Sequence, residues 1–215
     1  RRDFSLIEPL EFLHLIHDQY KINHMVCGPD FHFGRYGQGN PQQAQTEVAS
    51  WLKITIVEEV DLCGAKISSS EIVNAIEAGQ MATATKLLGH PYSMSGTVVS
   101  GRQQGRVIGY PTANLLYDNE YVIPKHGVYV GQVQIDGQRY MAMINVGHNP
   151  TFNSYELVSV ESYILDFNAN IYGKRITVEF LYWIRDEIRF DSIAALVAQM
   201  DQDQVFTREF FAHAS

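Results

Sequence analysis

Two patterns of hydrophobic and polar residues follow one another along the 215-residue chain. In the first, apolar positions with helical spacing alternate with short apolar runs that end at Gly or Pro. Leu10, Leu13 and Ile16 mark the first helix, and residues 24–27 form the first short apolar run. Strands that alternate with helices are typical of a parallel sheet, so this part is predicted to be α/β.

The first part contains four further predicted elements. A loop that contains Gly34 and Pro41 precedes a polar helix over residues 42–52, and a strand follows over residues 54–57. One of the three serines at 68–70 is expected to cap the next helix, which ends before Gly79. Another helix ends near Gly89, where the character of the sequence changes.

The second part is dominated by strands. Asp136-Gly137 between two apolar runs is a strong hairpin signal. Antiparallel strands joined in this way tend to close into a barrel or sandwich. After the last strand, Ile193, Leu196, Val197 and Met200 have helical spacing, and Asp191 or Ser192 can cap that helix. The predicted strands are 95–100, 128–135, 140–146, 158–165 and 176–183. We therefore expect two domains, residues 1–88 and 89–215.

Charge and cysteine usage narrow the function classes. Sixteen basic against 24 acidic residues give a net charge of −8, spread as seven against eleven in residues 1–89 and nine against thirteen in residues 90–215. This even acidity argues against nucleic-acid or anionic-membrane binding. Cys27 and Cys63 have no metal-ligand spacing, so we expect both to be reduced in a cytoplasmic protein. The eight histidines show no zinc pattern.

The stretch from residue 101 to residue 114 holds the strongest candidate chemistry. Gly101, Gly105 and Gly109 allow backbone amides to approach an anion, and Arg102 and Arg106 add positive charge. The P-loop ending is absent, so spacing alone leaves a glycine-rich hairpin loop as the alternative. Pro-Thr-Ala-Asn follows at 111–114, where a hydroxyl and a carboxamide two residues apart offer oxygen ligands for magnesium.

These residues resemble the riboflavin kinase domain. The similar segments begin with Leu-Gly-His-Pro-Tyr at 88–92 and Gly-Tyr-Pro-Thr-Ala-Asn at 109–114. Others follow in the same order at 124–129, 145–147, 149–152, 160–167, 171–174, 184–187 and 190–192. The resemblance covers residues 88–203 and implies a Greek-key β-barrel with a C-terminal helix. It implies transfer of the ATP γ-phosphoryl group to the riboflavin 5′-hydroxyl, which gives FMN.

The resemblance also implies roles for single residues. Thr112 and Asn114 match residues that hold Mg²⁺ and the ATP phosphates. Residues 101–109, with Gly101, Gly105, Arg106 and Gly109, match the loop that folds over the nucleotide, and Pro111 belongs to the same motif. Glu161 matches the proposed general base, and Arg185 and Glu187 match a segment near the flavin.

Two of these assignments have alternatives in the sequence itself. Glu161 shares a strand face with Tyr163 and Leu165, so it could be a partly desolvated base or an edge-strand carboxylate that faces water. The residues alone leave these two interpretations equal, and the resemblance favours the base. Asp186 stands where the family usually has Pro, so Arg185 and Glu187 could equally form an ion pair or a helix-entry turn.

The first part resembles the FMN adenylyltransferase domain of bifunctional bacterial FAD synthetases, a Rossmann-like nucleotidyltransferase fold. The similarity rests on residues 26–34 and on Lys-Ile-Ser-Ser-Ser at 66–70. The His-x-Gly-His motif is absent, together with about the first half of the domain. Glu71 and Val73 replace expected arginines, and an acid there opposes triphosphate binding. We therefore expect a weak or absent adenylyltransferase, and the serines serve as a helix cap.

The leading hypothesis is a cytoplasmic riboflavin kinase that uses ATP, Mg²⁺ and riboflavin and has no nucleic-acid, membrane or obligate protein partner. One alternative is a non-catalytic flavin-binding or regulatory module. The magnesium-binding residues argue against it, because a pure binder has little use for them. Another alternative is an oligonucleotide-binding barrel, which the charge balance disfavours.

Overall fold

The computed structural model describes residues 6–58, 61–62, 65–101, 105, 108–118, 120–148 and 158–213. The chain divides into two compact units, residues 1–67 and 68–215. The predicted domain boundary at residues 88 and 89 differs from this division and stays a prediction about the domains. Cys63 and Arg106 lie outside the described residues.

The first unit is a small α/β structure. Its strands β1 and β2 pair in parallel, with His24 opposite Lys53 and Cys27 opposite Ile56, which confirms the predicted parallel pairing. Asn40 caps α2 by accepting hydrogen bonds from the backbone amides of Gln42 and Gln43. The elements are α1 (Pro9–Tyr20), β1 (His24–Cys27), α2 (Pro41–Glu47), β2 (Lys53–Ile56), β3 (Asp61–Leu62) and β4 (Ala65–Lys66).

Helix α2 ends earlier than the sequence pattern predicts. The prediction extended this helix to residue 52, whereas the helix ends at Glu47 and Val48 has left the helical region of backbone space. Val48 and Leu52 are fully buried in the core of this unit, beside Leu13 and Ile54. The helix-like spacing of apolar residues therefore continues past the end of α2 into the turn before β2. It does so because the helix and the turn both bury apolar residues in one core.

The second unit begins with two helices that pack on the barrel. Ser68 caps α3 (Ser69–Glu77), as predicted, in a capping box with Glu71. Helix α4 (Met81–Leu88) contacts the first and last barrel strands. Met81 and Ala84 are buried in the same apolar cluster as the barrel interior.

Six antiparallel strands form a closed barrel, in the order β10-β5-β6-β9-β8-β7. This confirms the predicted barrel. The strand that carries the Thr-Ala-Asn motif was not among the predicted strands, because it is short and follows a glycine-rich segment. The strands are β5 (Tyr92–Val99), β6 (Thr112–Tyr117), β7 (Gly127–Ile135), β8 (Gln138–His148), β9 (Val158–Ile164) and β10 (Arg175–Arg185).

The predicted hairpin joins β7 to β8. Ile135 pairs with Gln138 across the two-residue turn, and Asp136 and Gly137 have φ values of 49° and 84°. Two consecutive residues with positive φ match the twist of the flanking strands, and Asp-Gly tolerates that backbone conformation. The hairpin therefore fixes the register of β8, which carries part of the candidate site.

Helix α5 (Ile193–His213) covers one side of the barrel exterior. Ser192 accepts a hydrogen bond from the backbone amide of Ala195, which confirms the predicted cap. Under the helix, Met143 and Leu165 on the outer barrel surface are buried against Val197 and Met200. None of the helices among the described residues is long and apolar enough to cross a membrane.

Candidate active site

The candidate site lies on the outer face of three neighbouring strands. Glu161 in β9 stands between Asn114 of β6 on one side and Asn145 of β8 on the other. In the adjacent row, Thr112 stands opposite Tyr163. Because residues two apart share one face of a strand, the predicted residues Thr112, Asn114 and Glu161 come together on this surface.

Thr112 and Glu161 are joined directly. The Thr112 Oγ1 hydroxyl donates a hydrogen bond of 3.1 Å to Glu161 Oε2, and both side chains are partly buried. Partial burial fits the expectation of a partly desolvated carboxylate on this strand face.

Two described glycines of the glycine-rich segment, Gly101 and Gly105, lie close to the strand that carries the Thr-Ala-Asn motif. Gly101 lies against the Asn114 side chain so closely that a Cβ atom at residue 101 would collide with the carboxamide. The carbonyl of Gly105 accepts hydrogen bonds from the amides of Ile108 and Tyr110, and Gly109 has a φ of 90°. Glycine at residue 101 thus leaves room for the Asn114 carboxamide, and the positive φ of Gly109 favours glycine there.

A cavity of about 390 Å³ opens beside Thr112 and Asn114. Gly101 and Pro111, both predicted site residues, also line the cavity, whereas Glu161 does not. The rest of the lining combines apolar side chains with amides and a hydroxyl. The other lining residues are Val98, Ala113, Ser162, Ile164, Phe167, Asn168, Ala169, Asn170, Ile171 and Tyr172.

Sequence reasoning missed the segment 167–172 and Ser162 as site residues. The sequence did contain one signal for this segment. Asn168 and Asn170 place two amide side chains close together in the connection between β9 and β10, and amides can bind a ligand. Ser162 is the one polar residue on the inward face of β9, between Val160 and Ile164.

Glu187 and Arg185 lie in different surroundings. The Glu187 carboxylate lies against Gly147, the next outward-facing residue of β8 after Asn145. The Arg185 guanidinium instead binds Asp203 of α5, with Nη2 2.7 Å from Asp203 Oδ2 and Nε 3.2 Å from Oδ1. The structure therefore places Glu187 beside the candidate site and pairs Arg185 with a buried carboxylate.

Helix α5 also binds Tyr110, the residue that precedes the Pro-Thr-Ala-Asn motif. The Tyr110 hydroxyl donates a hydrogen bond to the Asp201 carboxylate, and its ring packs on Tyr163 with centroids 4.8 Å apart. Burial and the neighbouring Asp201 raise the pKa of the Tyr110 phenol well above its ordinary value. Tyr110 therefore remains a neutral donor that ties the start of β6 to the helix.

The oxygen donors on this surface fit a magnesium ion that is held largely by a nucleotide. The Thr112 hydroxyl, the Asn114 carboxamide and the Glu161 carboxylate are all hard oxygen ligands. Within the described part of the chain, no three His, Cys, Asp or Glu residues are grouped to form a metal site. Because Mg²⁺ typically takes only one or two protein ligands and binds phosphates and water besides, this donor set suits it.

At the start of the second unit, the serine residues that were candidate phosphate contacts cap a helix. Ser68 Oγ accepts a hydrogen bond from the Glu71 backbone amide, while Glu71 Oε2 accepts from the Ser68 amide at 3.2 Å. Both side chains therefore satisfy the start of α3, as the capping interpretation predicts. Cys27 in β1 is a free thiol, and burial raises its pKa.

Comparison with protein-family models shows to which family this chain belongs. The family model described as riboflavin kinase matches residues 88–211, more than half of the chain, and contains the whole candidate site. The chain belongs to the riboflavin kinase family. The family model described as FAD synthetase matches residues 1–71. These matches confirm the resemblances that the sequence motifs indicated.

Curated relatives agree with this family assignment. The bifunctional riboflavin kinase/FMN adenylyltransferase of Listeria monocytogenes is 36% identical over 209 residues, which cover 97% of this chain and 67% of the relative. The Bacillus subtilis protein of the same name is 35% identical and covers 98% of this chain and 67% of its own length. The chain thus spans about two thirds of the length of these relatives.

A solved structure shares the fold. A protein from Streptococcus pneumoniae, described as a macrolide-efflux protein, is 38% identical with a TM-score of 0.79. The alignment covers 96% of this chain and 66% of that one. The description as an efflux protein applies to that protein alone and differs from the names of the curated relatives.

Proposed function

We propose that this chain phosphorylates riboflavin with ATP, with Glu161 as the general base. The observation that carries the proposal is the hydrogen bond between Thr112 and Glu161 on a surface that also holds Asn114. A group that accepts a proton and groups suited to phosphates thus lie side by side. Phosphoryl transfer requires this arrangement, because its catalysis rests on positioning and on charge stabilisation.

In the proposed reaction, a Glu161 carboxylate oxygen accepts the proton of the ribityl 5′-hydroxyl. The substrate oxygen forms a bond to the γ-phosphorus of ATP, and the bond from that phosphorus to the β–γ bridging oxygen breaks. ADP leaves, FMN forms, and Glu161 passes its proton to solvent. The Thr112 hydroxyl orients the carboxylate in the meantime, because it binds one of the two carboxylate oxygens.

Mg²⁺ is part of the proposal. When bound, it neutralises charge on the phosphates. Thr112 and Asn114 would hold it, and Gly101 keeps the Asn114 carboxamide in place by leaving room for it. The loop residues Gly105, Arg106 and Gly109 are proposed to close over the phosphates.

The two substrates are proposed to approach the Thr112–Glu161 pair from opposite sides. The cavity on the side of Gly101 and Pro111 has a mixed apolar and amide lining that suits the nucleoside of ATP. On the other side, Glu187 lies over Gly147 and is proposed to contact riboflavin. Arg185 supports this side by fixing the end of β10 to α5 through Asp203.

The proposal extends to the adenylyltransferase-like part of the chain and to the cellular setting of the reaction. Glu71 is engaged in the cap of α3, which supports a weak or absent adenylyltransferase. FAD formed from FMN and ATP at a rate similar to that of riboflavin phosphorylation would contradict this part. Small-molecule substrates and a cytoplasmic location complete the proposal.

Chromatographic separation of flavins tests the function. The chain is incubated with riboflavin, ATP and Mg²⁺, and FMN and ADP are expected in equal amounts. Omission of ATP, or removal of Mg²⁺ with a chelator, should abolish both products. Binding of riboflavin without FMN formation would instead identify a flavin-binding module and overturn the proposal.

A further inference from the structure

Ser162 is a buried polar residue whose hydroxyl the structure leaves without a partner. It lies in the middle of β9 and is 0% exposed. Among the described residues, no group forms a hydrogen bond with Ser162 Oγ. A buried hydroxyl without a partner is costly, because it has lost its hydrogen bonds to water.

The strand gives Ser162 no local way to satisfy this hydroxyl. Its neighbours across the ladder are Ala113 in β6 and Ile144 in β8, and neither side chain has a polar atom. Val160 and Ile164, on the same face of β9, are equally apolar and buried. An alanine would thus suit the apolar barrel interior better than this serine does.

The same side chain borders the cavity next to Thr112 and Asn114. Ser162 lines this cavity together with Val98 and Ile164, which are apolar. The cavity volume of about 390 Å³ lies in the range of small-molecule sites. A ligand that fills the cavity would meet apolar side chains, the carboxamides of three asparagines and the hydroxyl-bearing residues Thr112, Ser162 and Tyr172. Apolar walls with a few polar groups can bind a nucleobase and its sugar.

We propose that Ser162 is a nucleotide-binding residue, whose hydroxyl forms a hydrogen bond with a nitrogen or oxygen atom of the ATP nucleoside. The inference rests on the proposed function, because it takes the occupant of the cavity to be the nucleotide. The ligand then supplies the partner that the protein lacks. Without the ligand, the protein carries the free-energy cost of the unsatisfied hydroxyl. Binding of the nucleotide removes this cost.

This role has a double consequence for Ser162→Ala. The variant loses one hydrogen bond to the ligand, so the Kd for ADP with Mg²⁺ should rise about 3- to 10-fold. The KM for ATP should rise by a similar factor while kcat stays within about twofold, because the contact is remote from the transferred phosphoryl group. The melting temperature of the ligand-free variant should increase, because an unsatisfied buried group has been removed.

Ser95→Ala is the matched control. Ser95 also lies in a barrel strand, but its hydroxyl is 2.8 Å from Thr177 Oγ1 on the outward face and is satisfied there. Its removal should leave the ADP affinity unchanged and should not raise the melting temperature. Calorimetric titration with ADP and thermal unfolding of the ligand-free proteins measure both effects.

The outcomes separate this inference from the proposed function. Unchanged ADP affinity in Ser162→Ala, in a chain that makes FMN, would overturn the role of Ser162 alone. A lower melting temperature of the ligand-free variant would also overturn it, because it would reveal a structural hydrogen bond. If pyrophosphate, which lacks base and sugar, lost as much affinity as ADP, the contact would not be with the nucleoside. A parent chain that binds no ADP and makes no FMN would overturn both proposals.

Discussion

The Thr112 hydroxyl donates a 3.1 Å hydrogen bond to the Glu161 carboxylate, across two paired strands and 49 positions of sequence. The register of β6 and β9 places Asn114, not Thr112, directly opposite Glu161, so the bond runs diagonally between adjacent rows. The pairing of β6 with β9 therefore fixes the relative positions of the proposed base and the proposed magnesium ligands. A shift of that register by one residue would turn Glu161 into the barrel interior.

Thr112→Val should weaken magnesium-dependent nucleotide binding, because it keeps the β-branched shape and removes the oxygen ligand. We expect the affinity for ADP with Mg²⁺ to fall about 10-fold or more, as for a hydrogen bond to a charged group. Affinity for ADP in the presence of a chelator should change little. Titration calorimetry measures both values.

Thr112→Ser is the control for this change, since it keeps the hydroxyl. It should retain most of the magnesium-dependent affinity. Equal affinities of Thr112→Val and the parent chain, with and without Mg²⁺, would remove Thr112 from the magnesium-binding role.

Asp203→Ala should destabilise the second unit strongly. Asp203 is buried in α5 and accepts hydrogen bonds from Arg185 and Gln199. Removal of one partner leaves the largely buried Arg185 charge unpaired, which costs about 3–5 kcal/mol of the free energy of unfolding. Urea unfolding followed by tryptophan fluorescence measures this change.

The exposed ion pair between Lys174 and Asp136 provides the comparison. Both side chains are largely in water, so Lys174→Ala should cost less than about 1 kcal/mol. Similar losses in Asp203→Ala and Lys174→Ala would contradict the view that Arg185 is tied to the helix by a buried pair.

Alkaline pH should destabilise the barrel. Burial raises the pKa of the Tyr92 phenol to about 12, and burial also raises the pKa of Tyr117. In the unfolded chain these phenols titrate near pH 10. The stabilisation from their neutral state is therefore fully present below about pH 10 and is lost as the pH rises through about 12.

Tyr92→Phe isolates one of these groups. The Tyr92 hydroxyl donates a 2.6 Å hydrogen bond to the Val122 carbonyl, so the variant loses some stability at pH 8. Its free energy of unfolding should then fall less steeply between pH 10 and pH 12 than that of the parent. Identical slopes for the two proteins in urea unfolding would refute the assignment.

Much of the fold was predictable because its signals are local. The period-two alternation of β8 and β9, the Asp136-Gly137 turn and the serine cap of α3 each act within a few residues. The end of α2 was not predictable in this way. Val48 and Leu52 continue a helix-like spacing, but their burial depends on a core formed by distant residues.

The candidate site was predictable where a motif carried it. Thr112, Asn114 and Glu161 converge, as their family positions imply, through the register of β6 and β9. Ser162 and the 167–172 segment required the closed barrel, because a cavity wall has no sequence pattern of its own. The partner of Arg185 was equally hidden, since the pairing depends on where α5 packs.

The turnover of Glu161→Gln tests the central claim most directly, because this substitution removes the proton acceptor and keeps the size of the side chain. Riboflavin phosphorylation by this variant should fall about 10²- to 10⁴-fold, the usual contribution of a positioned general base. Its melting temperature and its affinity for ADP should stay close to those of the parent. Glu179→Gln, at a partly buried carboxylate that pairs with Arg139, should keep the parent rate. A parent-like rate in Glu161→Gln would contradict the account.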